Sequence, residues 1–178
     1  AQLVLEKRSA GDDGASLASA TFSVSGYFRD VDGTARMGER TFVTGDDGRA
    51  LCDGLIVPST LLAAGITPGH DDPSGRDYSE YVVSEVQAPA GYKLDTAQAT
   101  LRLYDDGTFC LVGETGAFSL SGEASDGAAQ AVLAMADEPI AISFKKVDAG
   151  TGEMPANHAQ ARFTLEGPVL ADDGTVSD

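Results

Sequence analysis

Apolar and polar residues alternate with a period of two along most of the chain, which is the pattern of strands buried on one face. The alternation predicts strands at 2–9, 20–28, 39–44, 49–52, 80–87, 99–104, 108–112, 117–120 and 130–137. Between them lie turn sequences such as Gly11-Asp12-Asp13-Gly14, Asp30-Val31-Asp32-Gly33, Asp46-Asp47-Gly48 and Asp105-Asp106-Gly107. Gly and Asp suit such turns because they accept positive φ or hydrogen-bond their own backbone. Short strands at this spacing predict an all-β sandwich or barrel. Only 58–64 (PSTLLAA) reads as helix, one or two turns long. It lies in a Gly-, Pro- and Asp-rich excursion over 55–77.

The chain also repeats itself. Leu5-Glu6-Lys7-Arg8-Ser9 leads through a Gly/Asp turn to Ala20-Thr21-Phe22-Ser23-Val24. Phe144-Lys145-Lys146-Val147-Asp148 leads through Ala149-Gly150-Thr151-Gly152 to Ala161-Arg162-Phe163-Thr164-Leu165. A period this long means tandem domains rather than a solenoid. The expectation is one complete domain over 1–139 and, over 140–178, the N-terminal strands of a second, truncated repeat. Two strands bury no core of their own.

Strand parity singles out three charges. Residues two apart in a strand point the same way, so Lys7 continues the row of Leu3 and Leu5. Glu85 likewise continues Tyr81 and Val83, and Asp137 continues Leu133 and Met135. A lone buried charge is costly, so the three are expected to meet one another. Burial disfavours the charged forms of amines and carboxyl groups alike. Enclosed together, Lys7 and Asp137 would become a neutral amine and a neutral acid, with Glu85 moving protons and polarising the Asp137 carbonyl. Loss of water would then join Lys7 to Asp137 through an amide, driven by the effective molarity of a packed pair. The competing reading is that Lys and Glu near strand ends form solvated surface pairs worth little.

At these residues a resemblance enters. Ser84-Glu85-Val86-Gln87-Ala88-Pro89-Ala90-Gly91-Tyr92 resembles the E-box of the Cna B-type domains of Gram-positive pilins and adhesins. Apolar-x-Lys at Lys7, then a turn and Ala-x-Phe, is similar to the same family, as is Asp137-Glu138-Pro139 at the end of the last strand. The resemblance implies an Ig-like, prealbumin-like β-sandwich with Lys7 and Asp137 as an isopeptide pair and Glu85 as the catalytic residue. The acceptor is Asp rather than the commoner Asn, so water would leave instead of ammonia. The segment from Cys52 to Tyr78 is longer than a minimal member needs. In the second repeat Lys146 takes the position of Lys7, on the Ile142/Phe144 face.

The implied role is structural: a pilin subunit or adhesin stalk, secreted and attached to the cell wall. Its partners would be neighbouring domains of the same polypeptide or other pilus subunits, with a host or surface ligand in addition. The alternative is a ligand-binding adhesin module that uses 55–77 as its recognition surface. A carboxylate-based hydrolase ranks last, because the chain lacks the aromatic residues that usually line sugar clefts.

Composition narrows the choice further. The 178 residues carry 28 acidic against 12 basic side chains, a formal charge of −16, which disfavours nucleic acid and anionic membranes as partners. No apolar run approaches the roughly 20 residues that span a bilayer. The start, AQLVLEKRSA, lacks the charged-then-apolar pattern of an export signal, so any such signal is expected outside these residues. Cys52 and Cys110 invite a disulfide in an exported chain, but parity turns Cys52 inward and Cys110 outward, which favours a buried Cys52 acting as a small hydrophobe. His70-Asp71-Asp72 with His158, and Asp30-Val31-Asp32-Gly33 with Glu39, are weak metal-ligand patterns; no metal and no cofactor is expected. There is no phosphate loop, G-x-S-x-G or His-Glu-x-x-His, so the chain is not expected to be an enzyme beyond a single turnover on itself.

Overall fold

The structure, a computed structural model, describes residues 2–11, 14–113, 116–125, 128–141, 143–155, 162–164, 169–170 and 176–177. Asp12, Asp13, Ile142, His158, Ala161 and Leu165 therefore lie outside the described residues. The chain divides into two units, Ala1–Pro139 and Ile140–Asp178.

The first unit is a β-sandwich. Its strands are β1 (Leu3–Ser9), β2 (Thr21–Arg29), β3 (Ala35–Val43), β4 (Arg49–Cys52), β5 (Ser79–Gln87), β6 (Gln98–Leu103), β7 (Phe109–Val112), β8 (Phe118–Ser125) and β9 (Ala128–Asp137). One sheet has the order β4-β1-β9-β8 and the other β3-β2-β5-β6-β7. All neighbours are antiparallel except β1 and β9, the first and last strands of the unit, which run parallel at the centre of the first sheet. The facing rows meet in one core of Leu3, Leu5, Phe22, Val24, Tyr81, Val83, Leu101, Leu103, Leu133 and Met135. Fully burying each such side chain contributes about 1.5–3 kcal/mol, so the alternating rows dictate which face of each strand turns inward.

Two strands are longer than their apolar pattern. β3 begins at Ala35, because its first half is exposed on both faces and is held by backbone pairing to β2, from Arg29↔Ala35 onward. β8 runs on to Ser125 through Gly122 by pairing with β9. Asp30–Gly33 is the turn of the β2–β3 hairpin: Gly33 N–H donates to Asp30 O at 2.9 Å, and Thr34 N–H to Asp32 Oδ1 at 2.9 Å.

The excursion between β4 and β5 carries helix α1 (Pro58–Ala63), which starts with Pro at its N-terminus, where the missing N–H costs nothing. It is fastened to the sandwich at both ends. Ile56 and Leu61 are buried, and Ile56 N–H donates to the hydroxyl of the fully buried Tyr81 at 2.7 Å; that hydroxyl donates in turn to Tyr27 O at 2.7 Å. Further on, Gly69 and Tyr78 pair through both backbone groups.

In the second unit, 143–148 forms no ladder, although a strand is predicted there. β1 is held by β4 and β9, both distant in sequence, and 143–148 has no such partners among the described residues. The described strands are β10 (Val169–Leu170) and β11 (Val176–Ser177), paired antiparallel. Phe144 stacks on Phe163 with ring centroids 5.3 Å apart. No helix among the described residues is long and apolar enough to cross a membrane.

Candidate functional site

Each of the three inward charges is held by a strand whose position is fixed on both sides. Lys7 lies in β1 opposite Met135 of the parallel strand β9, its N–H bonded to Gly48 O at 2.8 Å and its O accepting from Leu17 N–H at 2.9 Å. Asp137 ends β9 opposite Ser9, and its O accepts from Ala10 N–H at 2.8 Å. Glu85 comes from the other sheet. It sits in β5 opposite Phe22, at a point where the β2–β5 register shifts between Phe22↔Glu85 and Thr21↔Gln87, so that Val86 is an extra residue. Such bulges bend a strand locally and re-aim its side chains.

The three side chains meet between the sheets. Lys7 Nζ contacts Asp137 Oδ1 directly and lies 2.9 Å from Glu85 Oε1, with the side chains of all three fully enclosed. The ring of Phe22 lies 5.7 Å from Nζ and closes one side. Asp137 Oδ2 is buried with no hydrogen-bond partner among the described residues. Glu85 Oε2 accepts from Asp95 N–H at 3.4 Å. Burial is the main cause that raises the Glu85 pKa above its ordinary value, against the opposing pull of Lys7. Enclosing one amine with two acids favours keeping one acid protonated, and burial pushes Glu85 in that direction.

The arrangement brings an amine into contact with a carboxyl group whose second oxygen has no hydrogen-bond partner among the described residues, with a second carboxyl group beside the same amine.

The other sequence candidates fall elsewhere. Lys146 is exposed, unlike Lys7. Cys52 and Cys110 are both free thiols; Cys52 is buried, and desolvation pushes its pKa up to about 12, while Cys110 is exposed on β7. The acids of the His70-Asp71-Asp72 run are taken up by hydrogen bonds. Asp72 accepts from Ser74, from Tyr104 Oη at 2.7 Å and from Arg102 at 3.1 Å; Asp71 accepts from Tyr78 and Arg102; His70 pairs with Asp77. The Ser74 hydroxyl, then Tyr104, hold the Asp72 carboxyl far below the usual range. Among the described residues no three His, Cys, Asp or Glu side chains are grouped to hold a metal ion.

Sequence reasoning missed the Val86 bulge, Asp95 and the Arg102 cluster. Pro89-Ala90-Gly91 signals a reversal after β5, but no pattern tells which N–H of the following loop reaches back to Glu85.

No protein-family model matches the chain, and a search of curated proteins finds no match. Solved structures similar to it include the pilus 2b backbone protein of group B streptococcus (18% identity, 78% of this chain and 40% of that one, TM-score 0.46). Others are a C-terminal fragment of the pilus adhesin SpaC from Lactobacillus rhamnosus GG (18%, 80% and 46%, 0.46) and the major pilin SpaD from Corynebacterium diphtheriae (18%, 78% and 30%, 0.39). The chain spans less than half the length of each.

Proposed function

We propose that Lys7 and Asp137 condense into an intramolecular amide with Glu85 as the proton relay, and that the first unit is a load-bearing module of an extracellular pilin or adhesin stalk. The observation that supports this reading is the fully enclosed contact of Lys7 Nζ with Asp137 Oδ1, with Glu85 Oε1 2.9 Å from the same nitrogen. A solvated surface pair would have no reason to be buried in the core.

The chemistry balances without any co-reactant. Proton transfer across the contact turns ammonium and carboxylate into amine and carboxylic acid. Protonated Glu85 polarises the acid, and the Nζ lone pair attacks Cγ. One N–H proton then passes through Glu85 to the departing oxygen. The C–O bond breaks, and water leaves with one proton from the acid and one from the amine. Glu85 ends as it began, protonated. Packing holds the reactants together, so effective molarity replaces the activating group that amide synthesis in solution requires.

The consequence is mechanical. The amide would join the first and last strands of the unit, 130 residues apart, so tension along the chain would bypass every strand between them. Such a cross-link suits a stalk under load and makes neighbouring domains or other pilus subunits the natural partners. Residues 140–178 would then begin a second module of the same kind, with Lys146 in the place of Lys7.

Proteolytic digestion tests the reading. A branched peptide joining β1 to β9 through Lys7 and Asp137, lighter by one water than its two parts, is the expected product. Recovery of both as separate linear peptides from folded protein would overturn it.

A further inference from the structure

The ten residues after β5 touch both halves of the site at once. Residues 88–97 leave β5 through Pro89 and turn at Tyr92, whose N–H donates to Pro89 O at 3.1 Å. Lys93 N–H then donates to Glu138 O at 3.1 Å, one residue past Asp137, and Tyr92 bridges to Pro139. Two residues later Asp95 N–H donates to Glu85 Oε2 at 3.4 Å, while Asp95 Oδ1 accepts from Ala97 N–H at 2.8 Å and folds the loop onto its own backbone. The same short segment thus grips the strand end that carries the acceptor and the carboxyl group that would relay the proton. The two come from opposite sheets, and within the described residues this loop bonds to both.

We infer that 88–97 is a positioning clamp: Lys93, through its backbone N–H, seats Asp137 against Lys7, and Asp95, through its backbone N–H, aims Glu85 at the pair. This rests on the amide reading. The Lys93 side chain also reaches Glu138 Oε2 at 3.1 Å, but both are largely exposed, and exposed pairs of this kind contribute little. The backbone bonds carry the effect. A displacement of about 1 Å at a reacting centre can cost on the order of a hundredfold in rate.

The test follows the mass of the full chain over time after cell-free synthesis. Lys93→Pro deletes the N–H to Glu138, whereas Lys93→Ala keeps it and removes only the side chain. The clamp predicts loss of water slowed by about tenfold or more in Lys93→Pro and changed by less than about twofold in Lys93→Ala. Each is paired with Glu85→Gln, which cannot link, so that the effect on folding is measured apart from the bond. Asp95→Pro, compared with Asp95→Ala, gives a second readout. The lost N–H favours the ionised form of Glu85, which also faces Lys7 from β1 and Asp137 from β9. Its loss should therefore move the alkaline fall-off in rate to higher pH in Asp95→Pro alone. Equal rates in Lys93→Pro and the wild type, slowing that merely tracks the unfolded fraction, or no pH shift in Asp95→Pro would overturn the clamp. A wild type that never loses water would overturn the amide reading itself.

Discussion

Lys7 and Asp137 stand 130 residues apart in sequence and one diagonal step apart across two parallel strands, Lys7 opposite Met135 and Asp137 opposite Ser9. An amide there closes a loop of that length. By the chain-entropy relation for cross-links, a loop of about 130 residues is worth about 5 kcal/mol. Glu85→Gln keeps the shape of the site and removes the relay, so it should fold, remain unlinked and lose about that much stability in urea unfolding. An unlinked variant as stable as the wild type would show that the bond does not form.

Acidity offers a second check, on a chain that cannot link. In Lys7→Met the amine that opposes burial at Glu85 is gone, so its pKa should stand further above the ordinary 4.5. A carboxyl group whose pKa is raised by folding holds its proton more tightly in the folded state. Stability is therefore fully present below about 4.5 and falls as pH rises through the raised value. The urea midpoint of Lys7→Met should drop as pH rises above about 4.5, and a midpoint that rises there would contradict the sign.

Gly48 holds the backbone of Lys7 in place. Its φ is +73°, and an added Cβ would lie 2.7 Å from Lys7 O and 2.9 Å from Leu17 N, both backbone atoms with no freedom to rotate away. Gly48→Ala should destabilise the unit by roughly 1–3 kcal/mol and slow water loss, because β1 must shift exactly where the amine is seated. Thermal melts of unlinked and linked forms would measure the two effects separately.

The two thiols should differ sharply in reactivity. Cys110 is exposed, and Cys52 is buried with a pKa near 12. A thiol reagent at neutral pH should label the folded chain once, at Cys110, and the denatured chain twice. Double labelling of the folded chain would mean that β4 opens readily beside β1.

The sandwich was legible wherever one face of a strand is buried, because period two then marks the inward row. Lys7, Glu85 and Asp137 stood out for the same reason: each interrupts such a row with a charge. Ala35–Val43 was half hidden because its first half is exposed on both faces and has no row to display, whereas Phe42 in its second half packs against the core. Glu85's partner Asp95 was invisible, since a backbone N–H leaves no trace in residue type. The excursion was legible in length but not in attachment. Arg102 bonds Asp72 across 30 residues at 3.1 Å and lies over the Tyr78 ring at 4.0 Å, contacts that depend on the finished fold. With Ile56 and Leu61 buried, deleting the whole of 55–77 would remove core as well as surface. A probe of ligand binding should therefore substitute exposed positions such as Leu62 instead.

The most direct measurement is the intact mass of the folded wild-type chain. A mass short of the sequence by one water, restored to full value in Glu85→Gln and in Lys7→Met, is the predicted result. A full mass in well-folded wild-type protein would contradict the cross-link while leaving the sandwich intact.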